Sequence, residues 1–150
     1  MSQKMQVRRD TSSWVFQVWA SFVIAVIFCG YGVLNLPLDG IYRVFLATGM
    51  FFTLFSSFAL AKTIRDNQYQ VVDTPMWRLQ VWVAFAVSVY LTLWGMYTMK
   101  MSDWQIGYMM GSGLFLISAT FTLSKTIRDG YDADKLEKAG QEVAVSLDKN

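Results

Sequence analysis

The chain has 150 residues, 54% of them apolar and only 16% charged, a composition too greasy for an ordinary soluble domain and suited to a membrane protein. Its net charge of +2 gives no reason to expect a nucleic-acid partner. Histidine is absent and Cys29 is the single cysteine, so there is no disulfide framework, no imidazole or thiolate set for haem, zinc or copper, and no His general base.

A spanning helix needs about 20 mostly apolar residues. The charge-free intervals 11–38, 44–61, 79–99 and 104–124 meet or approach that length. They predict helices near 14–36, 41–64, 77–99 and 104–127, the second starting early because Arg43 can snorkel to the interface. Asp10-Thr11 and Asp73-Thr74 offer acceptors to the open N–H groups of a first turn, and Pro75 suits the position after a Thr74 cap. Trp14, Trp19, Trp77 and Trp82 follow at headgroup depth. Leu36-Pro37-Leu38-Asp39-Gly40 and Lys100-Met101-Ser102-Asp103 are short turns, which make sequential helices antiparallel, whereas the joint after Arg65 is longer and polar. The reading is one hairpin of helices one and two and another of helices three and four. After Gly130 a charged tail with Leu136, Ala139, Val143, Ala144 and Leu147 fits a weak amphipathic surface helix or a solvated end, and Gly140 argues against helix.

Shifting the sequence by 63 positions superimposes the halves without a gap. Trp14, Gln17, Val18, Trp19, Phe22, Val26, Gly32, Phe52, Phe58 and Leu60 all meet identical residues, and Lys62-Thr63-Ile64-Arg65-Asp66 meets Lys125-Thr126-Ile127-Arg128-Asp129. Two polar signatures in register identify a tandem repeat. The fold class expected is an all-α membrane four-helix bundle of two hairpins, divided as 1–9 N-terminal segment, 10–66 first repeat, 67–72 linker, 73–129 second repeat and 130–150 tail. An even number of spans per unit makes the repeat parallel, with its pseudo-two-fold along the membrane normal.

Of the thirteen basic residues, Lys4, Arg8, Arg9, Lys62, Arg65, Arg78, Lys125, Arg128, Lys135, Lys138 and Lys149 fall on one side and only Arg43 and Lys100 on the other. That bias places both termini in the cytoplasm, and the first ten residues lack a signal-peptide cleavage pattern. The KTIRD ends then lie at the cytoplasmic boundary. Within each, Lys and Asp four residues apart can pair along one helix face while Arg reaches toward lipid phosphate or a neighbouring helix start. Gln17 and Gln80, a turn inside that boundary, would join a polar cluster in each hairpin. Gln17, Lys62, Arg65, Asp66, Gln80, Lys125, Arg128 and Asp129 are therefore the candidate contacts for anionic lipid or a protein partner, against a bland reading as helix termination and orientation.

Small residues recur every fourth position. Ser21, Ala25 and Cys29 in helix one match Ala84, Ser88 and Thr92 in helix three; Gly49, Thr53, Ser57 and Ala61 mark helix two, and Gly107-x-x-x-Gly111 helix four. Such ridges let helix backbones approach in lipid, so Ser21, Ala25, Gly49, Ser57, Ala84, Ser88, Gly107 and Gly111 are expected packing positions. No charged residue falls in the middle of a span, which removes the usual support for proton- or cation-coupled transport. A neutral-solute channel or carrier lined by Ser21, Ser57, Ser88, Thr92 and Thr120 is the competing reading. The methionines Met96, Met99, Met101, Met109 and Met110 suggest a Cu(I) thioether cluster, but their repeat mates Val33, Leu36 and Leu38 are plain hydrophobes, so no cofactor or metal is expected.

With W-x-x-Q starts, Gly32 and Gly95 late in the first span of each half, and the KTIRD ends at Lys62 to Asp66 and Lys125 to Asp129, the chain resembles the YiaA/YiaB family of bacterial inner-membrane proteins over Asp10 to Asp129. The resemblance implies a two-helix domain present twice, four spans and an inner-membrane location, for a family without an established biochemical activity. The Trp-rich first turns and the tail depart from that pattern. The expectation is a non-enzymatic membrane protein that acts by association, with membrane lipids, a second copy or another membrane protein as partners.

Overall fold

Thr11 and Thr74, one repeat apart, each stand in extended conformation at the head of a helix and accept a backbone N–H with Oγ1, from Trp14 at 3.4 Å and from Trp77 at 3.3 Å. The hydroxyl fills a donor that the first turn leaves open. In the computed structural model these caps launch α1 (Ser12–Asn35) and α3 (Pro75–Thr98), while α2 (Gly40–Gln68) and α4 (Asp103–Asp148) return. Residues 10–68 and 74–148 are described, without the side chains of 67, 68 and 142–148. The N-terminal segment 1–9 and most of the expected linker 67–72 lie outside them. All four helices are long and apolar enough to cross a membrane: the 24 residues of α1 rise about 36 Å, against a hydrocarbon core of about 30 Å.

The helix ends differ from expectation by one to four residues, except that of α4. That helix runs on through the tail to Asp148. The span has already nucleated it, so extension adds a bond per residue, and a glycine at 130 or 140 withholds only about 1 kcal/mol relative to alanine. Ala133, Lys135, Leu136, Glu137, Lys138 and Ala139 are otherwise good helix formers, and the tail is a continuation of α4 rather than a separate surface helix.

At the opposite end, Arg43 does not simply snorkel outward. Its Nη2 donates to the carbonyls of Leu36 (3.3 Å) and Leu38 (3.5 Å), fastening the start of α2 to the end of α1. Lys100, with φ of 51°, takes the left-handed position that ends α3.

The two hairpins are interleaved. Antiparallel neighbours joined by short turns barely touch; the main packing is α1 on α4 and α2 on α3, with α2 and α4 side by side along the pseudo-two-fold axis. The hairpins expected from turn length are therefore correct in connectivity but not in packing. Close approach decides the matter. Gly32 lies against Tyr108 and Met109, and its repeat mate Gly95 lies against Phe45, the mate of Tyr108. Tyr108 also donates from its hydroxyl to the Phe28 carbonyl across the α1–α4 seam (2.8 Å). The core formed on these contacts includes Ala25, Cys29, Leu46, Met50, Met96, Met109 and Leu116. Met96, Met101 and Met109 are thus core residues, and no metal-holding group of His, Cys, Asp or Glu occurs among the described residues.

Candidate functional site

Two parallel copies of one sequence side by side on a two-fold axis must bring each residue of one copy opposite its counterpart's neighbours, reciprocally. The KTIRD ends of α2 and α4 do this. Arg128 Nη2 meets Asp66 Oδ1, and Arg65 Nη1 lies 3.8 Å from Asp129 Oδ1. Each repeat's arginine thereby holds the other repeat's aspartate. Arg65 Nη1 also donates to the carbonyls of Ser124 (3.3 Å) and Lys125 (3.2 Å), hooking α2 onto the backbone of α4. Asp66 is the most enclosed member, with 9% of its side chain exposed against 32% for both Arg128 and Asp129. Its Oδ1 meets the guanidinium as an ion pair with no donor hydrogen aligned on it.

This arrangement corrects the sequence reading of the cluster. Arg65 and Arg128 each reach across to the other repeat's aspartate, and the aspartates pair with them rather than with the lysine four residues earlier. Lys62 and Lys125 are exposed, and neither forms an ion pair among the described residues. Gln17 and Gln80 stay apart from the clasp: both are exposed, and neither hydrogen-bonds among the described residues. A Thr–Trp bond does join the helix ends on one side. Trp77 Nε1 donates to Thr63 Oγ1 at 3.2 Å, tying the start of α3 to the end of α2.

The hydroxyl ridge forms the second polar feature. Ser56 and Ser88 share a hydrogen bond of 2.9 Å between α2 and α3, and Thr53 lies 3.5 Å from Thr92 one turn away. Ser57, Ser88, Thr92 and Thr120 are all buried, and each hydroxyl donates to a carbonyl of its own helix at 2.7–2.8 Å. At the related α1–α4 seam the same positions are Ala25, Cys29, Leu116 and Ala119, with Cys29 Sγ donating to the Ser112 carbonyl at 3.3 Å. One ridge with hydroxyl and apolar versions on its two sides is a packing surface. Ser21 and Ala84 are half-buried, and Gly49 lies against Thr92. Gly107 and Gly111, by contrast, face open space: a Cβ on either meets nothing within 4 Å. That motif does not pack within the chain, because the α4 face turned to α1 carries Tyr108, Met109 and Ser112 instead.

Because sequential helices separate, an apolar cleft opens in each hairpin. One, of about 330 Å³, lies between α1 and α2 and is walled by residues such as Val33, Phe51 and Leu54. Their repeat mates Met96, Leu114 and Ile117 line the other, of about 110 Å³, between α3 and α4. A third cleft, of about 490 Å³, lies at the KTIRD end, with Arg65 and Lys125 set beside apolar walls of Trp14, Ile64 and Phe121. No local pattern announces this cleft, since it requires α1 to sit on α4.

The family model for the yiaA/B two helix domain matches this chain twice, over residues 14–66 and 77–129. No curated protein and no solved structure gives a significant match.

Proposed function

We propose, from the premise that the chain belongs to the yiaA/B family by two copies of its two-helix domain, that it is an association protein of the bacterial inner membrane with both ends in the cytoplasm. On this reading it performs no catalysis and passes no solute; it presents a basic cytoplasmic rim and lipid-facing helix surfaces to membrane anions, to a second copy or to another membrane protein. The observation that carries this is the inward use of the hydroxyls. Ser57, Ser88, Thr92 and Thr120 are each satisfied by a carbonyl of their own helix, and Ser88 and Thr92 also meet Ser56 and Thr53 across the α2–α3 seam, so a neutral-solute path would have to open that seam. Lys62 and Lys125, outside the arginine–aspartate clasp, remain as rim charges for anionic surfaces.

Native mass spectrometry from a gentle detergent tests the association. A multimer, a retained phospholipid or an attached protein is the expected result, and a bare monomer in every mild detergent would remove the reading. Orientation is tested separately with Lys100→Cys and Lys138→Cys in intact cells. An impermeant maleimide should label the first and reach the second only after lysis, and labelling of Lys138→Cys from outside would reverse the topology.

A further inference from the structure

At the KTIRD end the pseudo-symmetry is broken, and one corner of the bundle keeps donors that have no acceptor among the described residues. Trp77 gives its indole N–H to Thr63. Its repeat mate Trp14 has no acceptor for the same group among the described residues and borders the 490 Å³ cleft with Arg65 and Lys125. Lys125 is exposed and forms no ion pair among the described residues. Arg65 commits Nη1 to two α4 carbonyls and to Asp129 at 3.8 Å, and its Nε and Nη2 have no hydrogen-bond partner among the described residues. At the related corner the indole is engaged by Thr63, and Arg128 meets Asp66. Below the cations the cleft is walled by Ile64 and Phe121, and Thr122 turns its hydroxyl back to the Ser118 carbonyl.

We propose that this cleft holds the phosphate of one anionic phospholipid, with Lys125 and Arg65 on its unesterified oxygens and the Trp14 indole N–H as third donor; the proposal rests on the association reading above. A phosphodiester offers two charged acceptor oxygens, which suits an ammonium and a guanidinium together. The level fits as well, since Trp14 lies in the first turn of a spanning helix, where indole rings sit among headgroups. The apolar wall of Ile64 and Phe121 accommodates the first methylenes of the acyl chains. A free phosphate would make no use of that wall, so a lipid is the occupant the cleft favours. The site is single, not doubled, because among the described residues Trp14 keeps its indole donor free whereas Trp77 gives its own to Thr63.

The test titrates the full chain in gentle detergent with phosphatidylglycerol or phosphatidylcholine and counts bound lipid by native mass spectrometry. Phosphatidylglycerol should bind preferentially, and Lys125→Gln should weaken it about fivefold. Lys62→Gln, at the related corner, should leave it nearly unchanged, while Lys125→Arg should retain it and Trp14→Phe should weaken it to a smaller degree. Equal losses from Lys125→Gln and Lys62→Gln would mean diffuse attraction to the rim and would overturn the site, although the association reading, judged by subunit count and attached protein, would stand. Absence of preference for phosphatidylglycerol over phosphatidylcholine, or its displacement by excess inorganic phosphate, would overturn the lipid assignment.

Discussion

Arg128→Ala should destabilise the bundle by about 2–3 kcal/mol, more than Arg65→Ala at about 1–2 kcal/mol. Removing one partner of a buried ion pair strands the other, and for fully buried pairs this costs about 3–5 kcal/mol. Asp66 is nearly buried, but Arg128 is about one-third exposed, so water reaching the vacated space reduces the penalty. Asp129 is more exposed and its arginine more distant, which leaves less to lose on the other side, apart from the two α4 carbonyls that Arg65 holds. The double variant Arg128→Ala/Asp66→Ala should be more stable than Arg128→Ala alone, because the stranded carboxylate is gone. Thermal unfolding in detergent, followed by circular dichroism and arranged as a double-mutant cycle, measures the coupling. If the double variant is no better than the single, the two side chains do not act as a pair, and α2 and α4 are held at this end by Arg65 and by packing.

The parts of this structure legible from the sequence were those written in local pattern. Hydropathy located four spans, Thr11 and Thr74 marked helix starts, and the 63-residue shift established a parallel repeat. Partner choice was not legible. Short turns say that α1 and α2 are antiparallel, but whether they touch depends on where Gly32 meets Tyr108, a contact between residues 76 positions apart in sequence. KTIRD was ambiguous for a similar reason: Lys62 and Asp66 satisfy helix spacing as well as Arg128 and Asp66 satisfy the two-fold. The repeat itself held the missing clue, since parallel copies on an axis set unlike charges against each other reciprocally. Gly107 and Gly111 misled because spacing alone does not say which face of a helix is turned inward. The paired glycines Gly32 and Gly95, preserved between the repeats, were the better signal for close approach.

Those glycines also give a test in which the sign of the effect separates packing from lipid exposure. In a helix, Gly→Ala gains up to about 1 kcal/mol from backbone entropy wherever the new methyl group meets nothing. Gly107→Ala and Gly111→Ala, both open, should therefore raise the unfolding temperature slightly. Gly32→Ala should lower it, by about 1–3 kcal/mol of overpacking, because the methyl group would lie 2.8 Å from the Tyr108 ring and that ring is tethered through its hydroxyl to Phe28. Met109, also in the way, is flexible enough to yield. Gly95→Ala should fall between, since the Phe45 ring it meets is partly exposed and has no tether, so it can swing toward lipid. Tyr108→Phe should then relieve part of the Gly32→Ala penalty by freeing the ring. A stabilising Gly32→Ala would show that α1 does not lie on α4 as described. If Gly111→Ala lowers the subunit count in native mass spectrometry while leaving unfolding intact, the open glycine face of α4 is the surface through which copies of this chain meet.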